Sequence, residues 1–208
     1  MAVKDPALDQ AIIDAARTDF IAHGFRSASL HKIADRAGIT TGALYTRYRN
    51  KDALFRSLVS PALLEIRQQM GPIGERYARA QALCSRQALM EAIRREEQIY
   101  LDLLFDHYQD CVLFFCKSEG SSLERELQTM TDWKARETAE FFRSIARSPL
   151  DFDGIRLIAA NQLYCYKQIL SSGCTKEKAR SCLETLDLFL EAGWKAIFDR
   201  VLGTDPEA

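Results

Sequence analysis

Residues 27–55 read SASLHKIADRAGITTGALYTRYRNKDALF. Apolar residues recur at helical spacing on both sides of Gly38, a residue type that readily adopts the positive φ that ends a helix. Thr40 can cap the following helix with its hydroxyl. We therefore expect helices over residues 30–37 and 41–47 that cross at a short turn, which is the pattern of a helix-turn-helix.

The two predicted helices have an inner and an outer face. The inner face would fill a small core with Ile33, Ala34, Ala37, Ile39 and Leu44. The outer face of the second helix then carries Thr41, Gly42, Tyr45 and Thr46. A helix that reads DNA must enter a major groove about 12 Å wide, so small side chains in its first turn let the backbone come close.

The charge of the chain is balanced overall but not locally. The chain has 208 residues, 28 Lys plus Arg and 29 Asp plus Glu, and a formal charge of −1. Residues 1–56 contain nine basic and six acidic side chains. Such a local excess of basic residues is typical of a module that binds a polyanion, although a solvated helical face is an equally good interpretation of charge alone.

Two segments upstream extend the pattern. Residues 12–20 read IIDAARTDF, and residues 23–25 read HGF. Together with residues 27–55 they resemble the N-terminal domain of TetR-family transcriptional regulators. The Ala-Gly turn, the sequence GALY over residues 42–45, the following aromatic residue and Lys51 at the next helix start all fall in register.

The resemblance implies a DNA-binding role for particular side chains. Thr41, Gly42, Tyr45 and Thr46 would approach bases and phosphates, and Ser29 and Lys51 would lie at helix N-termini beside the DNA backbone. Thr40 and Arg47 complete the predicted DNA-binding set. A helix N-terminus and an ammonium group both attract phosphate, and the Tyr45 hydroxyl can donate to phosphate. Arg47 departs from the smaller aromatic or His residue that the family often has there, and it could add a phosphate or guanine contact.

The rest of the chain is also predicted to be helical. The expected helices cover residues 6–23, 51–70, 75–83, 86–106, 108–117, 122–147, 154–172 and 176–202 in addition to the two above. Gly71 to Gly74 is the clearest interior breaker, and Pro61 should kink or break its helix. Asp5, Ser29, Asn50, Asp153 and Thr175 are the predicted N-caps, and Ser121 with Glu124 fits a capping box. The fold class is therefore all-α, with a DNA-binding domain over residues 1–56 and an effector-binding and dimerisation domain over residues 57–208.

Composition excludes several other classes. No apolar stretch approaches the roughly 20 residues that cross a bilayer, and the N-terminus lacks the pattern of a signal peptide, so we expect a cytoplasmic protein. The six cysteines lack Cys-x-x-Cys spacing and should stay reduced. Neither a metal site nor a cofactor is expected, because the cysteines and histidines have no ligand spacing. A redox pair of Cys111 and Cys116 is disfavoured, since five residues along one helix place them on different faces.

Beyond residue 56 we find no nucleophile with a base, no phosphate loop and no catalytic carboxylate pair, so an enzyme is not expected. The last two helices carry broad apolar stripes. The resemblance implies that they pair with those of a second subunit, which suits a homodimer on a palindromic DNA site. The predicted dimer residues are Ile158, Gln162, Tyr166, Leu186, Leu190, Trp194 and Ile197. Packing of both stripes inside one subunit is the alternative.

The middle helices are rich in aromatic and sulfur-containing residues. The resemblance implies a cavity for a small-molecule effector, and apolar walls with polar tips suit an amphipathic or aromatic ligand. The candidate lining residues are Tyr100, Phe105, Cys111, Phe114, Phe115, Trp133, Phe141 and Tyr164. Ordinary core packing is the alternative for each of them.

The sequence thus predicts a homodimeric, ligand-responsive transcriptional repressor that binds double-stranded DNA at a palindromic operator and is released by its effector. An activator of the same fold is an alternative, because activators and repressors differ only in promoter position. A helical scaffold or enzyme with a basic N-terminal region is a further alternative.

Overall fold

The computed structural model describes residues 5–82, 86–145 and 151–202, and these ranges contain α-helices and no β-strand. The helices, in chain order, are α1 Pro6–Ser27, α2 Leu30–Arg36, α3 Thr41–Arg47, α4 Lys51–Ala82, α5 Arg86–Asp106, α6 Tyr108–Cys116, α7 Ser122–Ile145, α8 Phe152–Ser172 and α9 Lys176–Leu202. The predicted all-α fold class is confirmed. None of the helices in the described residues is both long and apolar enough to cross a membrane.

The helix starts of the N-terminal region follow the predicted caps. The Asp5 carboxylate accepts the backbone N–H of Ala7 at 3.0 Å, ahead of Pro6. Ser29 Oγ accepts the N–H of Lys32 at 3.4 Å, and Asn50 Oδ1 accepts that of Ala53 at 2.8 Å. Each side chain satisfies one of the free N–H groups in a first helical turn, so local sequence sets these starts.

Two of the later caps differ from the predictions. Asp151, not Asp153, caps α8, because its carboxylate accepts the N–H of Asp153 at 2.9 Å. The Glu124 carboxylate reaches the N–H of Gly120 at 2.7 Å, one residue earlier than a capping box requires. Thr175 caps α9 as predicted, with Oγ1 3.2 Å from the N–H of Lys178.

The predicted break at Gly71 to Gly74 is wrong, since α4 continues to Ala82. The helix is also uninterrupted at Pro61. A proline removes one backbone hydrogen bond and a glycine weakens a helix by about 1 kcal/mol, so a long helix can continue through both. The predicted end of α1 at residue 23 is close to a real feature, because Gly24 has φ 72° and ψ 169° inside the assigned helix.

The chain divides into two compact units. Unit 1 comprises residues 1–64 and 107–128, and unit 2 comprises residues 65–106 and 129–208. The helices α4 and α7 each begin in unit 1 and continue into unit 2. Residues 107–128 thus pack with the N-terminal helices, although they lie more than 40 residues further along the chain.

Each unit has its own apolar core. In unit 1 the Phe55 ring lies 4.8 Å from Phe20 and 5.2 Å from Phe25, measured between ring centroids. In unit 2 the rings of Phe142 and Trp194 stack at 5.6 Å. Burial of this kind stabilises a side chain by about 1.5–3 kcal/mol relative to its exposed state. The rings of unit 1 lie on α1 and α4, and α1 packs in turn against α2, which packs against α3.

Candidate functional site

A tight turn joins α2 to α3. Gly38 has φ 69°, and its N–H donates to the carbonyl of Asp35 at 3.1 Å. The N–H of Ile39 donates to the carbonyl of Ala34 at 3.0 Å. A glycine at this left-handed position ends α2 without steric cost, and Thr40 then caps α3 by accepting the N–H of Ala43 at 3.1 Å. The structure thus has the predicted helix-turn-helix.

The inner faces of these helices form the small core expected from the sequence. Ile33 and Ala34 are fully buried, and Leu44 is 1% exposed. Ala37 and Ile39 are half-buried at the turn. The orientation of α3 is therefore fixed, and its opposite face points away from the core.

The outer face of α3 is open. Gly42, Tyr45 and Thr46 are exposed, Tyr45 by 51%, and Thr41 is half-buried. The Thr46 hydroxyl donates to the carbonyl of Gly42 at 3.0 Å. A Cβ placed on Gly42 would meet only Thr40 Oγ1, at 3.8 Å, which is ordinary contact. The chain itself therefore does not require glycine at this position, and the free space there suits a close approach by a partner.

Arg47, at the end of α3, is already engaged. Its Nε donates to Asp9 Oδ1 at 3.0 Å, and both side chains are about one-third exposed or less. The sequence prediction treated Arg47 as a possible DNA contact and did not anticipate this ion pair. Long-range contacts between α1 and α3 carry no local sequence signal.

Lys51 also has internal partners. Its Nζ donates to the carbonyls of Arg26 and Ala28 at 3.0 and 2.9 Å, and it lies 4.9 Å from the centroid of the Phe25 ring. Burial lowers the pKa of Lys51, and the nearby carboxylate of Asp19 partly opposes that effect. The ammonium is used to hold the end of α1 in this structure. Ser29, by contrast, has the expected position at the N-terminus of α2.

Further exposed basic side chains lie in the same part of unit 1. They are Lys32 and Arg36 on α2 and Arg49 between α3 and α4. They contribute to the local excess of positive charge in residues 1–56 but are not among the predicted site residues. Their exposure makes them available for phosphate, which is contacted by Lys and Arg in most protein–DNA interfaces.

Residues 12–58 match the family model described as "Bacterial regulatory proteins, tetR family". The match includes α2, the glycine turn and α3. These residues are therefore similar to the N-terminal domain of that family, and they include the helix-turn-helix formed by α2 and α3.

A curated relative matches part of the chain. The chain is 39% identical over 62 residues to the "Probable acrEF/envCD operon repressor" of Escherichia coli (strain K12). This alignment covers 29% of the chain and 28% of that protein. The chain therefore matches less than a third of the length of this relative.

Solved structures of low sequence identity share the whole fold. A TetR-like transcriptional regulator from Rhodococcus sp. RHA1 superposes with a TM-score of 0.62 and 21% identity, over 92% of this chain and 99% of that one. NalD of Pseudomonas aeruginosa, described as the secondary repressor of the MexAB-OprM multidrug efflux pump, gives a TM-score of 0.54 and 19% identity, over 86% and 92%. The TetR-type fold thus extends beyond the N-terminal domain.

The predicted effector residues are divided between the two units. Tyr100 is buried and Phe105 half-buried on α5 in unit 2, whereas Trp133 and Tyr164, also in unit 2, are 55% and 58% exposed. Cys111, Phe114 and Phe115 are buried on α6 in unit 1. The side chain of Phe141 lies outside the described part of the structure. The structure thus does not bring this set together around one cavity within either unit.

Cys111 is a poor nucleophile in this position. Burial, with smaller contributions from Asp110 and Cys116, raises the pKa of its thiol to about 12. A thiol of this kind stays protonated at neutral pH and reacts slowly. Packing in the core of unit 1 is therefore a sufficient role for Cys111.

A small pocket in unit 2 has a different lining. Its walls are formed by Lys134, Thr138, Ile155, Ile158, Gln162, Leu190 and Trp194. Lys134 also pairs with the buried Glu96, and its Nζ lies 5.4 Å from the Tyr100 ring centroid. Apolar walls with a few polar tips are the usual composition of a small-molecule site. Ile158, Gln162, Leu190 and Trp194 belong to the predicted dimer stripe, whereas Lys134, Thr138 and Ile155 are not among the predicted site residues.

The predicted dimer stripe is partly covered within unit 2. Tyr166 is 1% and Leu190 9% exposed, and Ile158, Gln162, Leu186, Trp194 and Ile197 are half-buried. Among the side chains that the structure describes, the large apolar residues left exposed on these helices are Leu157 and Tyr164 on α8 and Leu188 and Phe189 on α9, by 58–73%. Helical periodicity identified apolar faces on both helices, but it did not identify which face unit 2 covers.

Proposed function

We propose that this chain is a ligand-responsive transcriptional repressor that acts as a homodimer on a palindromic operator and is released by a small-molecule effector. The observation that carries the proposal is the open outer face of α3 on a helix-turn-helix whose inner face is fully packed. A rigid helix with small residues in its first turn can enter the major groove. Because the proposed binding partner is chromosomal DNA, we expect the protein to act in the cytoplasm.

The proposed DNA contacts follow from exposure and chemistry. Thr41, Tyr45 and Thr46 offer hydroxyl groups to bases or phosphates, and Gly42 leaves room for the DNA backbone. Ser29 and Thr40 stand at the N-termini of α2 and α3, where backbone N–H groups attract phosphate. Arg47 would reach phosphate with the part of its guanidinium that does not bind Asp9.

The proposed dimer forms through α8 and α9. Leu157, Tyr164, Leu188 and Phe189 are large, apolar and more than half exposed in the single chain. Exposed apolar groups on adjacent elements mark interaction surfaces. A second copy is the proposed occupant because two helix-turn-helix units related by a two-fold axis match the two half-sites of a palindrome. The half-buried residues of the predicted stripe would lie at the edge of this contact.

The proposed effector binds in unit 2. The pocket lined by Lys134, Thr138 and Gln162 has apolar walls that include Trp194, a lining that suits an amphipathic or aromatic molecule. Its cavity volume is only about 20 Å³, so the effector would have to widen it on binding. We expect the effector to bind more tightly to a form of the dimer in which the two α3 helices are wrongly spaced for the operator. The difference between its binding free energies for the two forms, typically about 1–3 kcal/mol, is then lost from operator binding. The operon repressor and the efflux-pump repressor among the similar proteins make repression a better proposal than activation.

The experiment that tests this function is selection from sheared genomic DNA. The full chain, refolded from denaturant to remove bound ligands, is incubated with the fragments at near-physiological salt, and the bound fraction is sequenced. Tyr45→Ala is run in parallel, with Trp133→Ala as a control, because Trp133 is similarly exposed but lies in unit 2. We expect an inverted repeat that Tyr45→Ala alone fails to enrich. Equal binding to all fragments would instead favour a scaffold that binds polyanions without sequence preference.

A further inference from the structure

Polar side chains join α5 and α9 along their shared length in unit 2. In the first half of α5, Arg94 pairs with Glu191 at 3.5 Å. Near the end of α5, Asp102 pairs with Lys176 at 3.1 Å. Later residues of α5 thus meet earlier residues of α9, so the two helices are antiparallel. Both of these outer contacts bring opposite charges together.

The contact between them brings two acidic groups together. Glu97 on α5 is hydrogen-bonded to Asp187 on α9. Glu97 is 5% exposed, and Asp187 Oδ1 is buried and receives no hydrogen bond from an N–H or hydroxyl group in the described residues. A carboxyl group can donate a hydrogen bond only when it is protonated. This carboxyl pair, Glu97 and Asp187, therefore contains one proton, and the more deeply buried Glu97 holds it.

The ammonium that faces Glu97 is that of Lys134 on α7, and it is engaged by another carboxylate. Lys134 pairs with Glu96, the buried residue that precedes Glu97 on α5. From α8, the buried Tyr166 interacts with the same acidic groups but stays neutral, because burial and these charges raise the pKa of its hydroxyl. The charge of Lys134 therefore compensates Glu96 first and opposes the proton on Glu97 only in part.

The rest of α9 adds negative charge near the carboxyl pair. Glu184 and Glu191 lie close enough to Asp187 to oppose its ionisation. Burial, the hydrogen bond to Asp187 and the neighbouring carboxylates raise the pKa of Glu97 to about 8. The proton is therefore bound at neutral pH and leaves at mildly alkaline pH.

The carboxyl pair lies beside the proposed dimer surface. Asp187 directly precedes Leu188 and Phe189, whose side chains are both 73% exposed. When Glu97 gives its proton to water, two negative charges remain between α5 and α9 and repel each other. Because adjacent residues of one helix move together, a displacement of Asp187 away from Glu97 also moves Leu188 and Phe189.

We propose that the carboxyl pair of Glu97 and Asp187 makes the homodimer sensitive to pH. With its proton, the pair holds α9 against α5 in the arrangement that associates. Without the proton, repulsion loosens this part of α9 and weakens the dimer. The inference rests on the proposed homodimer and adds a regulatory input, alkaline pH, that acts through α9.

The first test needs neither a dimer nor DNA. Amide hydrogen exchange over residues 183–190 is measured on the full chain at low concentration, at pH 7 and pH 9, and each rate is divided by the intrinsic rate at that pH. In wild type we expect the corrected rate to rise about tenfold, because only about a tenth of Glu97 keeps its proton one pH unit above a pKa of about 8.

Three variants complete this test. Glu97→Gln and Asp187→Asn, which remove the second charge from opposite sides of the pair, should abolish most of the rise. Glu184→Gln, which removes an exposed charge from α9, should behave as wild type. The two pair variants are independent, so the test survives if one of them does not fold. A rise in either pair variant equal to that of wild type, or no rise in wild type, would overturn the proposal.

The second test measures the dimer. Sedimentation velocity at several concentrations gives the dissociation constant at pH 7 and pH 9. We expect it to increase at least tenfold in wild type and Glu184→Gln and to stay constant in Glu97→Gln, since each subunit of the dimer contributes one pair. A wild-type dimer of equal strength at both pH values would also overturn the proposal. A chain that is monomeric throughout would refute the homodimer itself, while the exchange experiment still decides whether the pair holds α9.

Discussion

Arg47, the last residue of α3, donates its Nε–H to the carboxylate of Asp9 in the first turn of α1, at a distance of 3.0 Å. The pair joins two helices whose residues are 38 positions apart in the chain. It holds the guanidinium near the open face of α3 and neutralises part of its charge. Asp9 should therefore weaken the attraction of Arg47 for phosphate.

Removal of the Asp9 charge should strengthen DNA binding. In Asp9→Asn we expect an affinity for duplex DNA severalfold higher at low salt and a salt slope steeper by up to about 0.9, because the Asp9 carboxylate no longer neutralises the guanidinium with which Arg47 contacts phosphate. Asp14→Asn is the matched control: it removes the same charge from α1, where Asp14 binds Gln10. Fluorescence anisotropy over a salt series measures both. Equal gains in the two variants would mean that net charge alone is responsible.

Two adjacent residues of α3 should separate stability from DNA binding. Leu44 is 1% and Tyr45 51% exposed. Leu44→Ala should lower the free energy of unfolding by about 2–5 kcal/mol, because it leaves a cavity in the small core. Tyr45→Ala should change it by less than about 0.5 kcal/mol but reduce operator affinity at least tenfold. Urea unfolding and operator titration measure the two effects, and a large loss of stability in Tyr45→Ala would contradict the exposed position of its ring.

The buried Glu97 should make stability depend on pH. Its side chain is 5% exposed, and burial, the hydrogen bond to Asp187 and the charges of Asp187 and Glu96 raise its pKa from 4.5 to about 8. The folded chain therefore holds a proton that the unfolded chain releases near pH 4.5. The stability that this proton gives is complete below about pH 4.5 and is lost as the pH rises to about 8.

Glu97→Gln should remove most of that dependence, because glutamine stays neutral at all these pH values. We expect the wild type to lose about 2–4 kcal/mol of stability between pH 5 and pH 8.5 from this group, and the variant to unfold at a higher temperature than wild type at pH 8.5. Glu91→Gln, exposed on the same helix, is the control. If the melting temperatures of wild type and Glu97→Gln changed equally with pH across this range, a buried, protonated Glu97 would be ruled out.

The exposed apolar residues of α9 should control oligomeric state. Leu188→Asp or Phe189→Asp should weaken the proposed dimer at least tenfold without unfolding the subunit, since both side chains are 73% exposed in the single chain. Leu64→Asp, which changes an exposed leucine in unit 1, should leave the dimer intact. Sedimentation velocity at several concentrations distinguishes the species. Dimers of unchanged strength in both α9 variants would place the interface elsewhere.

Local features of the fold were predictable from the sequence. Caps at Asp5, Ser29, Thr40 and Thr175 and the turn at Gly38 depend on hydrogen bonds and backbone angles within a few residues. The continuation of α4 past Gly71 was not predictable in this way, because local propensity opposes it by only a few kcal/mol and other stabilising contacts can exceed that amount.

The sequence predicted which face of α3 is exposed, but it did not predict which faces of α8 and α9 are covered. The open face of α3 follows from helical periodicity and the small core that it implies. The apolar faces of α8 and α9 were also visible, but each helix has two such faces, and periodicity does not say which is covered. Tyr166 and Leu190 are inside unit 2, and Leu157 and Leu188 are outside, because of how α8 and α9 pack in that unit.

The sequence by itself determined the all-α class, most of the helix starts, the helix-turn-helix and the residues that α3 exposes, since these depend on spacing and capping within one or two turns of the chain. Tertiary structure alone decided that residues 107–128 join the N-terminal helices, that Lys51 holds the end of α1 and that Asp52 binds Ser122, 70 residues away. Such contacts depend on packing between distant segments, and a charged or hydroxyl side chain has the same local signal whether it faces DNA, water or another helix.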